Sequence, residues 1–139
     1  MIILDTNVVS ALMLEQPDAI AAAWLDAQAR TSIWTTAVTV FEIRAGLEMM
    51  ASGRRRTRLE SEFERLINDD LQGRILNFDN TSAGQAGSLM AARKRTGRPV
   101  ELRDTMIAGI ALAQNAVLAT RNVRHFDDLR VPAVDPWNV

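Results

Sequence analysis

The sequence Ile2-Ile3-Leu4-Asp5-Thr6-Asn7 at the start of the chain is the clearest indication of the fold. In it, three apolar residues are followed directly by an acid. An unbroken apolar run suits a strand that is buried on both faces, as the strands of parallel sheets are. Asp5 therefore stands where such a strand ends. Because ligands of parallel sheets bind outside the carboxyl ends of the strands, the residues after each apolar run are candidate site residues.

Outward from this strand, short apolar runs alternate with stretches of helical periodicity. The predicted strands are 2–4, 32–36, 74–78 and 117–120, with a short edge strand at 131–134. The predicted helices are 17–27, with Pro17 in the first turn, 38–50, 59–67, a helix from Thr81 or Ser82 as its cap to Arg95, and 104–115. This alternation predicts an α/β fold with a mainly parallel sheet of four to five strands and right-handed crossovers.

The composition limits the class of protein and the chemistry it can perform. A chain of 139 residues with 47% hydrophobic residues can bury one core, so we expect a single domain over residues 1–139. No apolar stretch approaches the roughly eighteen residues of a membrane span, and Asp5 is unlike a signal peptide, so we expect a soluble cytoplasmic protein. The absence of cysteine excludes disulfides, thiolate zinc sites and thiol nucleophiles.

The charge of the chain is balanced, which bears on nucleic-acid binding. Sixteen basic residues against 17 acidic ones give a net charge of −1, so any affinity for a phosphate backbone must be local. Two basic runs could supply it, Arg54 to Arg58 and Arg93 to Arg98. Solvated helix ends explain both runs equally well, and whether the first run contacts RNA or a protein partner stays open.

Three acids occupy positions where a merely solvated side chain is a poor explanation. Asp5 ends the first strand, and Glu42 and Asp104 lie on predicted helices beside apolar or small residues of the same face. An N-cap role for Asp5 and a first-turn role for Asp104 are structural alternatives. A buried carboxylate is costly unless it pairs with a base or binds a cation, which favours a functional role, most clearly for Glu42.

The chemistry of these acids predicts a metal ion. Three carboxylates at one end of a sheet repel one another unless a cation stands between them. Ligation by oxygen alone selects hard ions, so we expect Mg²⁺, with Mn²⁺ as a substitute, bound by Asp5, Glu42 and Asp104. One such ion, or two about 4 Å apart, can activate water and stabilise the charge that develops during phosphodiester cleavage.

Four motifs in order resemble those of the PIN domains, specifically of VapC-like and FitB-like toxins. Residues 3–7, Ile-Leu-Asp-Thr-Asn, are similar to the first motif of that family, and residues 39–46, Thr-Val-Phe-Glu-Ile-Arg-Ala-Gly, to the second. Residues 104–109, Asp-Thr-Met-Ile-Ala-Gly, match the third, and residues 118–126, Leu-Ala-Thr-Arg-Asn-Val-Arg-His-Phe, are similar to the last. The resemblance covers essentially the whole chain, and four motifs at family-like spacing are highly specific.

The resemblance implies a PIN-like three-layer α/β/α fold and assigns residues to the site. It places metal-binding acids on Asp5, Glu42 and Asp104, and Thr6 is the hydroxyl next to the first of them. Asn122 stands where some members carry a fourth acid, and a neutral amide there makes firm binding of a second ion uncertain. The predicted catalytic set, with Thr120 added from its place after the last strand, is Asp5, Thr6, Glu42, Asp104, Thr120 and Asn122.

The resemblance also implies a biological role. The chain would be the toxin of a type II toxin–antitoxin system, a homodimeric Mg²⁺-dependent endoribonuclease. Its partner would be a VapB-like or FitA-like antitoxin whose C-terminal segment blocks the active site. Such an antitoxin also binds its own promoter, so this chain would reach promoter DNA only indirectly.

Two other functions compete with this hypothesis. A phosphatase with Asp5 as nucleophile would also use a strand-end acid and magnesium, but Asn7 stands where a second Asp is needed and Lys94 is the only lysine. A degenerate PIN module acting only in a DNA-binding repressor complex cannot be separated from the enzyme by sequence. We expect the only histidine, His125, to be structural, and the acids Asp127 and Asp128 to be solvated.

Overall fold

The computed structural model describes residues 1–139 and contains five strands in the order β3-β2-β1-β4-β5. The strands are β1 (Ile2–Leu4), β2 (Ile33–Thr36), β3 (Ile75–Leu76), β4 (Val117–Ala119) and β5 (Ala133–Val134). The helices are α1 (Thr6–Leu12), α2 (Ala19–Asp26), α3 (Ala37–Met49), α4 (Arg54–Arg65), α5 (Asn80–Arg95) and α6 (Leu102–Gln114). Every neighbouring pair of strands is parallel, so the predicted α/β fold is confirmed.

The central strand β1 separates two hydrophobic cores because consecutive strand residues point to opposite faces. Leu4 is fully buried in one core, which contains side chains of α1 to α4 such as Phe63. Ile3 is fully buried in the other, with side chains of α6 such as Ile107. The molecule therefore has the three layers expected of it, with α1 to α4 on one face of the sheet and α5 and α6 on the other.

Three helices begin at residues other than those predicted, because acidic side chains cap their N-termini. The side chain of Asp18 accepts hydrogen bonds from the backbone of α2, so this helix begins at Ala19 and not with Pro17 in its first turn. Asp79, and not Thr81 or Ser82, caps α5. Helix α6 begins two residues before Asp104, since Glu101 caps it by accepting a hydrogen bond from the Asp104 N–H. Acidic caps lie outside the apolar periodicity, which is why periodicity misplaced these ends.

Other predicted elements differ in length. The third strand is only Ile75–Leu76, and the edge strand only Ala133–Val134. Helix α1, which was not predicted as an element, follows β1 directly. The basic run from Arg54 begins α4 and does not precede it, and within it Arg56 pairs with Glu48 and Glu60. No helix has the length and apolar character needed to cross a membrane.

Candidate active site at the carboxyl edge of the sheet

Asp5 lies where β1 ends and α1 begins, and only 4% of it is exposed. Its Oδ1 accepts a hydrogen bond from the N–H of Thr6 at 2.9 Å, which is an N-cap interaction. Its Oδ2 accepts a hydrogen bond of 2.7 Å from the hydroxyl of Thr120, a buried residue that directly follows β4. The capping role and the placement at the sheet edge, which the sequence offered as alternatives, are therefore both realised.

The electrostatic environment of Asp5 disfavours its charge. Burial, as the largest cause, raises the pKa of Asp5 to about 6, and the hydrogen bonds from Thr120 and Thr6 oppose that rise only in part. The negative charges of Asp104 and Glu42 raise the pKa of Asp5 further, because both lie close enough to Asp5 to repel its charge. A cation between these carboxylates would relieve both the desolvation and the repulsion.

Glu42 reaches the same edge from α3, with 20% of its side chain exposed. Its Oε1 accepts a hydrogen bond from the hydroxyl of Thr6 at 2.8 Å, and that hydroxyl is also 3.0 Å from Thr39 Oγ1. Its Oε2 lies 3.6 Å from Nη1 of Arg103, a residue to which the sequence assigned no role. Thr6 thus contacts both acids: its backbone N–H donates to Asp5, and its hydroxyl donates to Glu42.

Asp104 lies in the first turn of α6, with 24% of its side chain exposed. Its Oδ2 is 3.0 Å from Nδ1 of His125, which brings the only histidine into the site. The expectation that His125 is structural did not include this contact with an acid of the site. The position of His125 three residues after Asn122, just beyond the carboxyl end of β4, was the available signal.

The residues after β4 divide into those that touch the acids and those that do not. Thr120 contacts Asp5 and also accepts a hydrogen bond from the N–H of Asn122 at 3.1 Å. Asn7, which the sequence did not select, donates to Asp5 Oδ2 at 3.3 Å and accepts from the N–H of Arg121 at 3.1 Å. The exposed side chain of Asn122 makes no hydrogen bond to any of the three acids.

A buried arginine supports the segment that carries His125. Arg93, on α5, is 3% exposed and forms two hydrogen bonds of 2.9 Å with the carboxylate of Asp128. It also donates to the His125 carbonyl at 2.7 Å and to the hydroxyl of Thr105, beside Asp104, at 3.3 Å. Asp128 is exposed as expected, but it is also paired: Arg93 lowers its pKa, and its Oδ2 lies 3.6 Å from Nε of Arg98.

The donor set fits a hard divalent cation, although the acids are not gathered around one point. No group of three or more Asp, Glu and His side chains has the arrangement of a formed metal site. Glu42 and Asp104 instead each lie beside a nitrogen side chain, Arg103 and His125. Carboxylate oxygens supplemented by hydroxyls are the ligands that Mg²⁺ and Mn²⁺ prefer, and the negative charges of Asp104 and Glu42 beside Asp5 favour a cation there.

The sequence model of the PIN domain matches residues 2–131. The chain belongs to the PIN domain family. This confirms the family resemblance seen in the four motifs and accounts for the parallel sheet with acids at its carboxyl edge.

Relatives of this PIN domain protein match it over nearly their whole length. It is 37% identical over 137 residues to the VapC ribonuclease Y4jK of Sinorhizobium fredii, covering 99% of this chain and 98% of the relative. It is 32% identical over 138 residues to the toxin FitB of Neisseria gonorrhoeae, covering 99% of both chains. The structure of FitAB bound to an IR36 DNA fragment is similar, with a TM-score of 0.89 at 32% identity, and the match covers 100% of this chain and 97% of that one.

Proposed function

We propose that this PIN domain protein is the toxin of a type II toxin–antitoxin system and acts as a metal-dependent endoribonuclease on RNA phosphodiester bonds. The observation that carries the proposal is that Asp5, Glu42 and Asp104 lie at one edge of the sheet. There, the negative charges of Glu42 and Asp104 raise the pKa of Asp5. The full-length similarity to a VapC ribonuclease and to the toxin FitB supports the same function.

The proposal assigns a task to each residue of the site. Asp5, Glu42 and Asp104 would hold Mg²⁺, or Mn²⁺ in its place, and the ion would supply activation of water and stabilisation of charge on the phosphate. Thr120 orients the Asp5 carboxylate through its 2.7 Å hydrogen bond, and Thr6 orients Glu42 in the same way at 2.8 Å. Such supporting hydrogen bonds fix the direction of the ligand oxygens before a cation arrives.

Asn122 and the basic neighbours have secondary roles in the proposal. Asn122 is neutral and does not contact the acids, so it contributes at most a weak ligand to a second ion. Arg103, whose Nη1 lies 3.6 Å from Oε2 of Glu42, would bind the RNA phosphate. Arginine suits this role because its guanidinium binds carboxylate and phosphate with similar geometry.

The proposed assembly follows from the same relatives. We propose that residues 1–139 act as a single PIN domain, that the protein is a homodimer, and that a VapB-like or FitA-like antitoxin inhibits it. The neighbour whose structure was solved as FitAB with DNA supports an indirect association with promoter DNA through that antitoxin.

A cleavage assay on total RNA tests the catalytic part of this proposal. Antitoxin-free wild-type protein should produce fragments with Mg²⁺ or Mn²⁺ and none with EDTA. Asp104→Ala should lose cleavage by at least about a hundredfold, as loss of a metal-supporting residue does. Asp26→Ala, which removes an exposed acid at the end of α2, should cleave like the wild type.

The assay also separates the enzyme from the degenerate module. Circular dichroism should show that both variants are folded. Sequencing of the fragment ends then identifies the RNA target. If folded, metal-loaded wild-type protein cuts nothing in a broad RNA set, the nuclease proposal fails and the binding-module hypothesis takes its place.

A further inference from the structure

A cleft of about 460 Å³ adjoins Asp104 on the side of His125. Its walls are formed by residues 98–101, the first turn of α6 and residues 124–125. An RNA strand whose scissile phosphate lies at Asp104 must continue over the neighbouring surface on either side. The cleft shares Asp104 with the candidate active site, so it lies directly on such a path.

The wall of the cleft is held in place by two arginines that are already paired within the protein. Arg93 is buried and bonded to Asp128, and its bond to the His125 carbonyl fixes the backbone of that wall. Arg98 donates to the carbonyl of Arg124 at 2.5 Å and pairs with Asp127 at 2.7 Å. The positive charges of Arg93 and Arg98 are therefore largely neutralised, and their function is to shape the cleft.

Arg124 is the cation of the lining that remains free. Its side chain is exposed, and its guanidinium makes no hydrogen bond or ion pair in the structure. His125 uses Nδ1 for Asp104, and its Nε2 has no partner. The pyrrolidine ring of Pro99 and the side chain of Val100 add apolar surface beside these groups, which suits a ribose or a base.

Resting on the proposed function, we propose that this cleft is a substrate subsite that binds the RNA phosphate next to the scissile one, with Arg124 as its cation. A guanidinium with all its donors free is the side chain best suited to a phosphate. An antitoxin segment is the competing occupant. RNA is favoured because the cleft adjoins the acid proposed to act on RNA. The two acids of its lining, Glu101 and Asp104, already contact Arg103 and His125, whereas the guanidinium of Arg124 has no partner.

The test is the binding of a short fluorescein-labelled single-stranded RNA of mixed sequence, measured by fluorescence anisotropy in EDTA over a series of salt concentrations. Arg124→Gln should weaken binding about tenfold, as expected for a lost hydrogen bond between charged groups. It should also reduce the slope of log K against log salt by about 0.7, the contribution of one phosphate of a single strand. Under metal chelation, no RNA is consumed during the measurement.

The matched control is Arg95→Gln, which changes an exposed arginine at the end of α5 that has no ion pair and does not line the cleft. It should change neither the affinity nor the salt slope. Equal affinities and slopes for the two variants would overturn the subsite. Loss of antitoxin binding in Arg124→Gln, with RNA binding unchanged, would overturn it too, since the occupant is then a protein.

Failure of the subsite and failure of the proposed function give different results. If Arg124→Gln weakens RNA binding but wild-type protein with Mg²⁺ does not cleave, the subsite stands and the nuclease does not. If wild-type protein cleaves and Arg124→Gln leaves both KM and RNA affinity unchanged, the nuclease stands and the subsite does not.

Discussion

Among the single residues, Asp5 has two opposing effects on the stability of the fold. As an N-cap it stabilises α1, and as a buried carboxylate beside Glu42 and Asp104 it destabilises the folded chain whenever it is ionised. Side chains that serve a site often cost stability in this way. The cost should therefore be measurable when the site holds no cation.

We predict that Asp5→Asn stabilises the protein at neutral pH in EDTA. The folded-state pKa of about 6 lies above the ordinary value of 3.8, so stability is lost as pH rises through that interval. The loss should be about 3 kcal/mol in the wild type and absent in Asp5→Asn, which keeps a carbonyl oxygen for the Thr6 N–H. Urea unfolding at several pH values measures the difference.

An exposed acid provides the control for this prediction. Asp26→Asn should leave the pH dependence of the wild type unchanged, because Asp26 is exposed. A decrease in the stability of Asp5→Asn at neutral pH would mean that the hydrogen bonds to Oδ2 of Asp5, from Thr120 and Asn7, contribute more than the buried charge costs.

Which site residues could be predicted from the sequence follows from the kind of contact each one makes. Asp5, Glu42 and Asp104 sit in local patterns, a strand end and helix faces, and the structure brings them to one edge. Asn7, Arg103 and His125 reach the acids through contacts that depend on how distant segments pack. Periodicity carries no information about such pairs.

At the scale of elements, Arg93 joins α5, the first turn of α6 and the segment that carries His125. Its basic run was expected to be solvated or to bind phosphate, but Arg93 itself is only 3% exposed and does neither. A helix of sixteen residues that ends in several basic side chains must turn some of them inward, and the sequence does not show which. The partner Asp128, whose side chain is 26% exposed, lies 35 positions away.

We predict that Arg93→Met destabilises the protein by about 1–3 kcal/mol, because the hydrogen bonds that buried Arg93 donates to the Asp128 carboxylate and the His125 carbonyl are lost. The lowered pKa of Asp128 contributes stability that is present above 3.8 and lost as pH falls through the folded-state value. The variant should therefore lose less stability in acid than the wild type. Urea unfolding at neutral and acidic pH checks both statements.

The control for Arg93 is its exposed neighbour on α5. Arg95→Met should change the unfolding free energy by no more than about 0.5 kcal/mol, as surface substitutions do. Equal effects of the two substitutions would show that the hydrogen bonds of Arg93 contribute nothing beyond helix surface charge.

The packing of α5 against α6 gives a second prediction at this scale. A Cβ at Gly109 would lie 2.6 Å from the Ser82 carbonyl oxygen and 2.7 Å from the Ala86 Cβ. Gly109→Ala should therefore cost about 1–3 kcal/mol despite its better helix propensity, because the two helices must move apart. Gly46→Ala on α3, where a Cβ meets nothing within 4 Å, should gain about 0.5–1 kcal/mol.

This pair of glycine variants separates packing from propensity. Both residues lie inside helices, so the propensity gain is common to them and only the neighbours differ. Thermal and urea unfolding of the two variants should move in opposite directions. If Gly109→Ala were as stable as Gly46→Ala, the close approach of α5 and α6 would not hold in solution.

At the scale of the whole molecule, the three acids come from both sides of the sheet. Glu42 is carried by α3 on one face, Asp104 by α6 on the other, and Asp5 by the end of the central strand. β1 is the central strand of the sheet, and the sheet lies between the two helix layers. The three acids therefore approach one another at the carboxyl edge of the sheet. A cation bound there would connect both halves of the fold.

This arrangement predicts that Mg²⁺ stabilises the whole fold, since a ligand that binds only the folded state raises stability by about 2.7 kcal/mol at a hundred times its Kd. The unfolding temperature of the wild type should rise with added Mg²⁺, and most of the rise should be lost in Asp104→Asn. Asp26→Asn should respond like the wild type, and sodium chloride at equal ionic strength corrects for general screening. An equal response of Asp104→Asn and the wild type would mean that the ion acts elsewhere on the surface, even if the protein proves to be a nuclease.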